Sequence, residues 1–167
     1  RIREPILSLR QVLFTHFSLS SSCSLAWIAF SREARISRQF ETADGALIQA
    51  QKHSKLPRIG LERARLMHAR GDISEALRLL DRESQSGDVS SESESLRATI
   101  ALLLGKWFEE SGTKESREVI DAYRTAIFHA AQWEKAYFFL GQYYDKLLNN
   151  VNQSSSSSSS VSSKILP

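Results

Sequence analysis

The chain has 167 residues, 41% of them hydrophobic and 25% charged, an ordinary globular balance with enough length for one packed core. Its formal net charge of +3 comes from interleaved basic and acidic residues, as in SREARISRQFE from Ser31 to Glu41. Basic blocks that would neutralise successive phosphates are missing, so direct nucleic-acid binding is not expected.

Cys23 is the single cysteine, which excludes an intrachain disulfide framework or a cysteine zinc site and fits a reducing compartment. Arg1 opens the chain and Met67 is its one methionine, so the segment is expected to be an internal fragment of a longer protein or an incomplete gene product. The most apolar window, Leu13 to Phe30, is interrupted by His16 and several serines. It lacks the roughly 20 apolar residues a bilayer span requires, so no membrane contact is expected.

Apolar residues recur with a 3.6-residue period and no run alternates as a strand would, which predicts an all-α fold. A first helix is expected from Glu4, with Pro5 at its first position and Ile6, Leu9, Leu13 and Phe17 on one face. Helices over about Cys23 to Ser37, presenting Trp27, Phe30 and Ala34, and Phe40 to His53, presenting Ala43, Leu47 and Ala50, should form a hairpin. Pro57 punctuates the next turn, and a fourth helix carries Leu61, Ala64 and Met67 to Arg70.

Gly71 suits a left-handed helix cap, and Asp72 can cap a fifth helix bearing Ile73, Ala76, Leu77 and Leu80. Ala43 and Ala76 lie close to the ~34-residue period of tetratricopeptide repeats. The polar stretch Ser84 to Ser95 reads as a longer loop. A sixth helix follows from about Ser95 to Glu110 with Trp107, then a seventh from about Ser116 to Ala131 with Val119, Tyr123 and Ala126.

The eighth helix, Trp133 to Leu148, is the most specific. Tyr137, Leu140, Gly141 and Tyr144 have the large-x2-Leu-Gly-x2-Tyr spacing of a tetratricopeptide first helix, in which glycine lets a partner helix approach. Tyr137, Leu140, Tyr144 and Leu147 are expected on one packing face, and the helix is apolar nearly all round, which predicts neighbours on more than one side. Asn149-Asn150 should end it, leaving 151–167, with its serine run Ser154 to Ser160, as a disordered tail. The architecture is therefore antiparallel helix hairpins over 1–150, about eight helices stacked as a tetratricopeptide-like α-solenoid.

Chemistry is not expected from this chain. His16, His53, His68 and His129 lie on different helices without a metal-ligand spacing, the glycines are scattered singly, and Asp-Phe-Gly and His-Arg-Asp kinase motifs are missing. No catalytic residue, cofactor or metal is assigned. The residues singled out are structural: Trp27, Ala43, Ala76, Trp107, Tyr123, Trp133, Tyr137, Gly141 and Tyr144.

Ordered motifs extend the reading: Ile2 to Arg10, Phe40-Glu41-Thr42-Ala43 through Ala50, Leu61 to Leu66 followed by Gly71-Asp72, Gly105 to Glu110, Val119-Ile120 with Tyr123, and Trp133 to Leu148. Together they resemble the FAT region of phosphatidylinositol-3-kinase-related protein kinases, over about residues 2 to 150. The run Tyr143-Tyr144-Asp145-Lys146-Leu147 after Trp133-Glu134 is most similar to the replication-stress checkpoint branch of that family. The resemblance implies a non-catalytic scaffold in a nuclear serine/threonine kinase, with the rest of the kinase and a regulatory subunit as protein partners. The alternative on repeat spacing alone is a free-standing adaptor that binds a peptide in its groove. Such an adaptor needs clustered Lys, Arg and Asn on first-helix inner positions.

Overall fold

The computed structural model describes residues 23–85 and 91–158. The helix expected from Glu4, with His16, lies outside the described residues. Among the described residues there are seven α-helices and no strand. They are α1 (Ser24–Ile36), α2 (Phe40–His53), α3 (Pro57–Arg70), α4 (Ile73–Gln85), α5 (Ser91–Ser111), α6 (Ser116–His129) and α7 (Glu134–Ser158). Two compact units divide within α5, between Leu96 and Arg97.

In the first unit each helix packs on the next, and α1 also packs on α3, giving two successive helix hairpins. The reason lies in residue size. Ala43, Ala46, Leu47 and Ala50 repeat at helical spacing along α2, so small side chains bring its backbone close to α1 while Leu47 fills the groove. Ile28, Phe30 and Ala34 of α1 and Ile59 and Leu66 of α3 close the same core, with Trp27, Phe40, Leu56 and Met67 packed at its margin. Each fully buried Leu contributes about 1.5–3 kcal/mol relative to an exposed one. At the open end, Ser24 Oγ donates to the Ala50 carbonyl at 3.1 Å and receives Ser54 Oγ–H at 2.8 Å, tying the start of α1 to the end of α2.

The two tight turns use one device. After α3, Gly71 has φ 95°, its N–H donates to His68 O, and the Asp72 N–H reaches back to Met67 O, the paired bonds of a Schellman cap. After α1 the same pair runs from Arg38 to Arg35 O and from Gln39 to Ala34 O, with Arg38 at φ 57°. Gly71 is legible in the sequence; Arg38 is not, because its left-handed conformation costs roughly 1–2 kcal/mol that the surrounding packing must offset. Pro57 stands at the first position of α3, where its missing N–H costs nothing.

Two expected boundaries move. The loop over Ser84 to Ser95 is shorter, because α4 reaches Gln85 and α5 begins at Ser91. Ser84 Oγ donates to Asp81 O and Gln85 Nε2 to Asp81 Oδ2, which finishes α4, while Glu94 in the first turn of α5 suits the positive end of its dipole. The eighth expected helix, here α7, does not stop at Asn149-Asn150 but continues through them to Ser158. Extending an existing helix fixes one residue per hydrogen bond gained, and Asn and Ser oppose it by well under ~1 kcal/mol each.

The second unit packs α5, α6 and α7 around Ala101, Leu102, Val119, Tyr123, Ala126, Ala136 and Tyr143. Tyr123 occupies its centre, fully buried, and Gly105 makes room for it. A Cβ on Gly105 would lie 2.8 Å from Cδ1 and Cε1 of the Tyr123 ring. Glu115 and Glu118 form a reciprocal capping box at the start of α6, and Lys114 Nζ reaches Glu118 Oε1 at 2.7 Å.

Candidate interaction surface

Helix α7 carries two apolar faces, and among the described residues only one of them is covered. Ala136 and Tyr143 are buried, and Phe139, Leu140 and Leu147 pack beside them against α5 and α6. Each helical residue advances roughly 100° around the axis, so Tyr137 and Tyr144 stand about that far from Ala136 and Tyr143. Tyr137 is 50% exposed, Leu148 62%, and Tyr144 and Val151 are also exposed. Gly141 lies on the same stripe, with nothing within 4 Å of a Cβ built on it.

The expected face is therefore corrected. Leu140 and Leu147 turn inward, whereas Tyr137 and Tyr144 turn outward, because the inward face is set by Ala136 and Tyr143, which pack at the crossing with α6. The close-approach role inside this unit belongs to Gly105. Phe138 and Phe128 are exposed as well, outside the stripe.

One carboxylate fastens the three helices behind this surface. Tyr123 Oη donates to Glu109 Oε2 at 3.0 Å, and Lys146 Nζ donates to Glu109 Oε1 at 2.8 Å. Burial and the hydrogen bond to the Glu109 carboxylate hold the Tyr123 phenol far above its ordinary pKa, so it stays a donor. The Glu109 carboxylate likewise raises Lys146. The Tyr123 ring stacks on Phe139 with centroids 6.5 Å apart, and Lys106 Nζ sits 4.4 Å over the other ring of that pair. Arg124 Nη2 donates to Tyr144 Oη at 3.2 Å, which positions one stripe residue from α6.

A second node joins α1 to α3 in the first unit. Glu62, 2% exposed, accepts Arg35 Nε at 2.7 Å on Oε1 and Arg65 Nη1 at 3.3 Å on Oε2, with Arg32 Nε 4.0 Å from Oε2. Nothing in the spacing of these residues singles them out, because their meeting depends on the crossing of two helices.

The other singled-out residues divide by burial. Ala43, Ala76 and Tyr123 are fully buried, Trp107 is buried, and Trp27 and Trp133 are half-buried against their respective cores. Among the described residues, no group of three His, Cys, Asp or Glu side chains could hold a metal, and no helix is long and apolar enough to cross a membrane. The arrangement offers packing surface and hydrogen-bonded struts.

Comparison with known proteins gives this surface a setting. The FAT domain family matches residues 1–166. The serine/threonine-protein kinase ATR of Arabidopsis thaliana is 27% identical over 96% of this chain. That of Oryza sativa subsp. indica is 23% identical over 87%, and the serine/threonine-protein kinase MEC1 of Candida glabrata is 29% identical over 73%. The chain spans only 7%, 6% and 5% of those proteins, respectively. Similarity to ATR and MEC1 kinases agrees with the preference read from the Trp133 to Leu148 run.

Proposed function

The chain belongs to the FAT domain family, and from that premise we propose that it is a non-catalytic helical scaffold segment of an ATR-like serine/threonine protein kinase. The observation that carries this reading is the second apolar face of α7. A soluble helix gains nothing from displaying Tyr137, Tyr144, Leu148 and Val151 around an unfilled Gly141 unless another element lies against it. The next helical element of the parent protein is the occupant that this reading supplies.

On this reading the parent phosphorylates Ser or Thr followed by Gln in checkpoint and repair proteins of the nucleus, working with a regulatory subunit. The scaffold acts mechanically. Helix pairs that move as packed bodies hold the kinase elements in place and pass on the effect of activator binding.

A double substitution tests the proposal. Tyr137→Glu with Leu148→Glu should leave the thermal melt of this chain unchanged, because both side chains already face water. In the parent kinase the same pair should lower kinase activity and raise protease sensitivity. Wild-type activity and protease resistance in that variant would refute the scaffold role of the face. Extension of the coding sequence should also reveal a glycine-rich loop and kinase catalytic motifs; a stop codon in their place would refute the kinase parentage.

A further inference from the structure

The Glu62 node has more positive charge than it uses. Three guanidinium groups converge on one carboxylate, which leaves a local excess of two positive charges at the α1–α3 crossing. No second acidic side chain among the described residues pairs with Arg32, Arg35 or Arg65. Arg35 engages Glu62 through Nε, and Arg65 through one Nη, so terminal N–H donors remain beyond those two bonds. Arg32 is 53% exposed, its Nε at the outer limit of ion-pair distance from Glu62.

The geometry is that of a receptor already assembled. A guanidinium in water loses side-chain entropy when it grips an anion, but Arg35 and Arg65 are held by a carboxylate that is itself buried. Arg32 joins them from the same helix as Arg35, one turn away. α1 and α3 are the first helices of the two successive hairpins, so the three guanidinium groups come from both. We propose that Arg32, Arg35 and Arg65 form an oxyanion site that accepts the carboxylate or phosphate of an acidic protein segment.

Nucleic acid fits less well. The three cations meet at one point instead of tracking a backbone, and neighbouring Glu33 interrupts the basic series along α1. A single bidentate anion matches the fork geometry of arginine and the point-like arrangement. The site does not depend on the second unit or on the parentage of the chain.

The test uses the 167-residue chain and fluorescein-labelled peptides of alternating Asp and Ser, with and without one phosphoserine, followed by anisotropy. Either acidic peptide should bind saturably, and its all-Ala counterpart should not. Arg32→Gln should weaken binding by about tenfold or more, as expected for loss of a charge-assisted contact, with the thermal melt unchanged. Arg32→Lys should recover less than half of that loss, because an ammonium keeps the charge without the fork. Failure of both acidic peptides to bind, equal binding by Arg32→Gln, or equally tight binding of a single-stranded oligonucleotide of the same charge would each overturn the site.

Discussion

In each unit one glutamate gathers side chains from neighbouring helices, but the two glutamates sit in opposite surroundings. Glu62 is almost wholly buried and meets three arginines, whereas Glu109 lies at the edge of its unit and takes one phenol and one ammonium. Loss of the buried carboxylate leaves the two largely covered guanidinium groups, those of Arg35 and Arg65, without the group that holds them. A charge at the edge can be replaced by water at small cost. The same side chain is therefore a strut in the first unit and a clasp in the second.

The largest effect should come from the strut. Glu62→Ala should lower stability by about 3–5 kcal/mol in a denaturant melt, the range for breaking one side of a buried ion pair. Arg32→Gln should stay within about 1 kcal/mol of wild type. Equal effects of the two would break the contrast between a burial-critical carboxylate and a dispensable outer cation. Tyr123→Phe probes the clasp: loss of its hydrogen bond to Glu109 should cost about 1.5 kcal/mol, with Lys146 still holding the other oxygen.

Glycines sharpen the comparison further. Gly105→Ala forces Cβ onto the Tyr123 ring, an overpacking cost of about 1–3 kcal/mol that exceeds the helix-propensity gain of about 1 kcal/mol. Gly141→Ala meets nothing and should stabilise this chain by up to about 1 kcal/mol, while weakening whatever packs on α7 in the parent. A melting temperature that falls for both variants would show that Gly141 is already covered.

The smallest effect concerns acid. The hydrogen bond from Lys114 holds the Glu118 carboxyl below its ordinary pKa, so its contribution is present above the unfolded value and fades as pH falls through the lowered folded one. Lys114→Ala should flatten that part of the stability profile. A profile unchanged by the substitution would remove Lys114 from the α6 cap.

Sequence periodicity located the helices because apolar spacing and breaker residues act locally. Phe40 to His53, the Gly71 cap and the burial of Ala43, Ala76 and Tyr123 all follow from neighbours within a turn or two. Rotation of α7 about its axis did not, since Tyr143 and Tyr144 are equally good candidates for the core until α6 selects one. The Glu62 cluster was equally hidden. Arg32, Arg35 and Arg65 read as ordinary solvated charges along the chain, and only the crossing of α1 with α3 brings them to one carboxylate.

The length of α7 has a consequence for how the chain breathes. Its 25 residues span ~37 Å, while the 14 of α6 span ~21 Å, so one end of α7 runs past the partner that buries it. Amides near Ala136 and Tyr143 should exchange with solvent deuterium only through opening of the whole unit. Those near Asn152 and Gln153, whose side chains face water, should exchange through local fraying. A single continuous helix thus holds two dynamic regimes, and the slow one ends near Leu147.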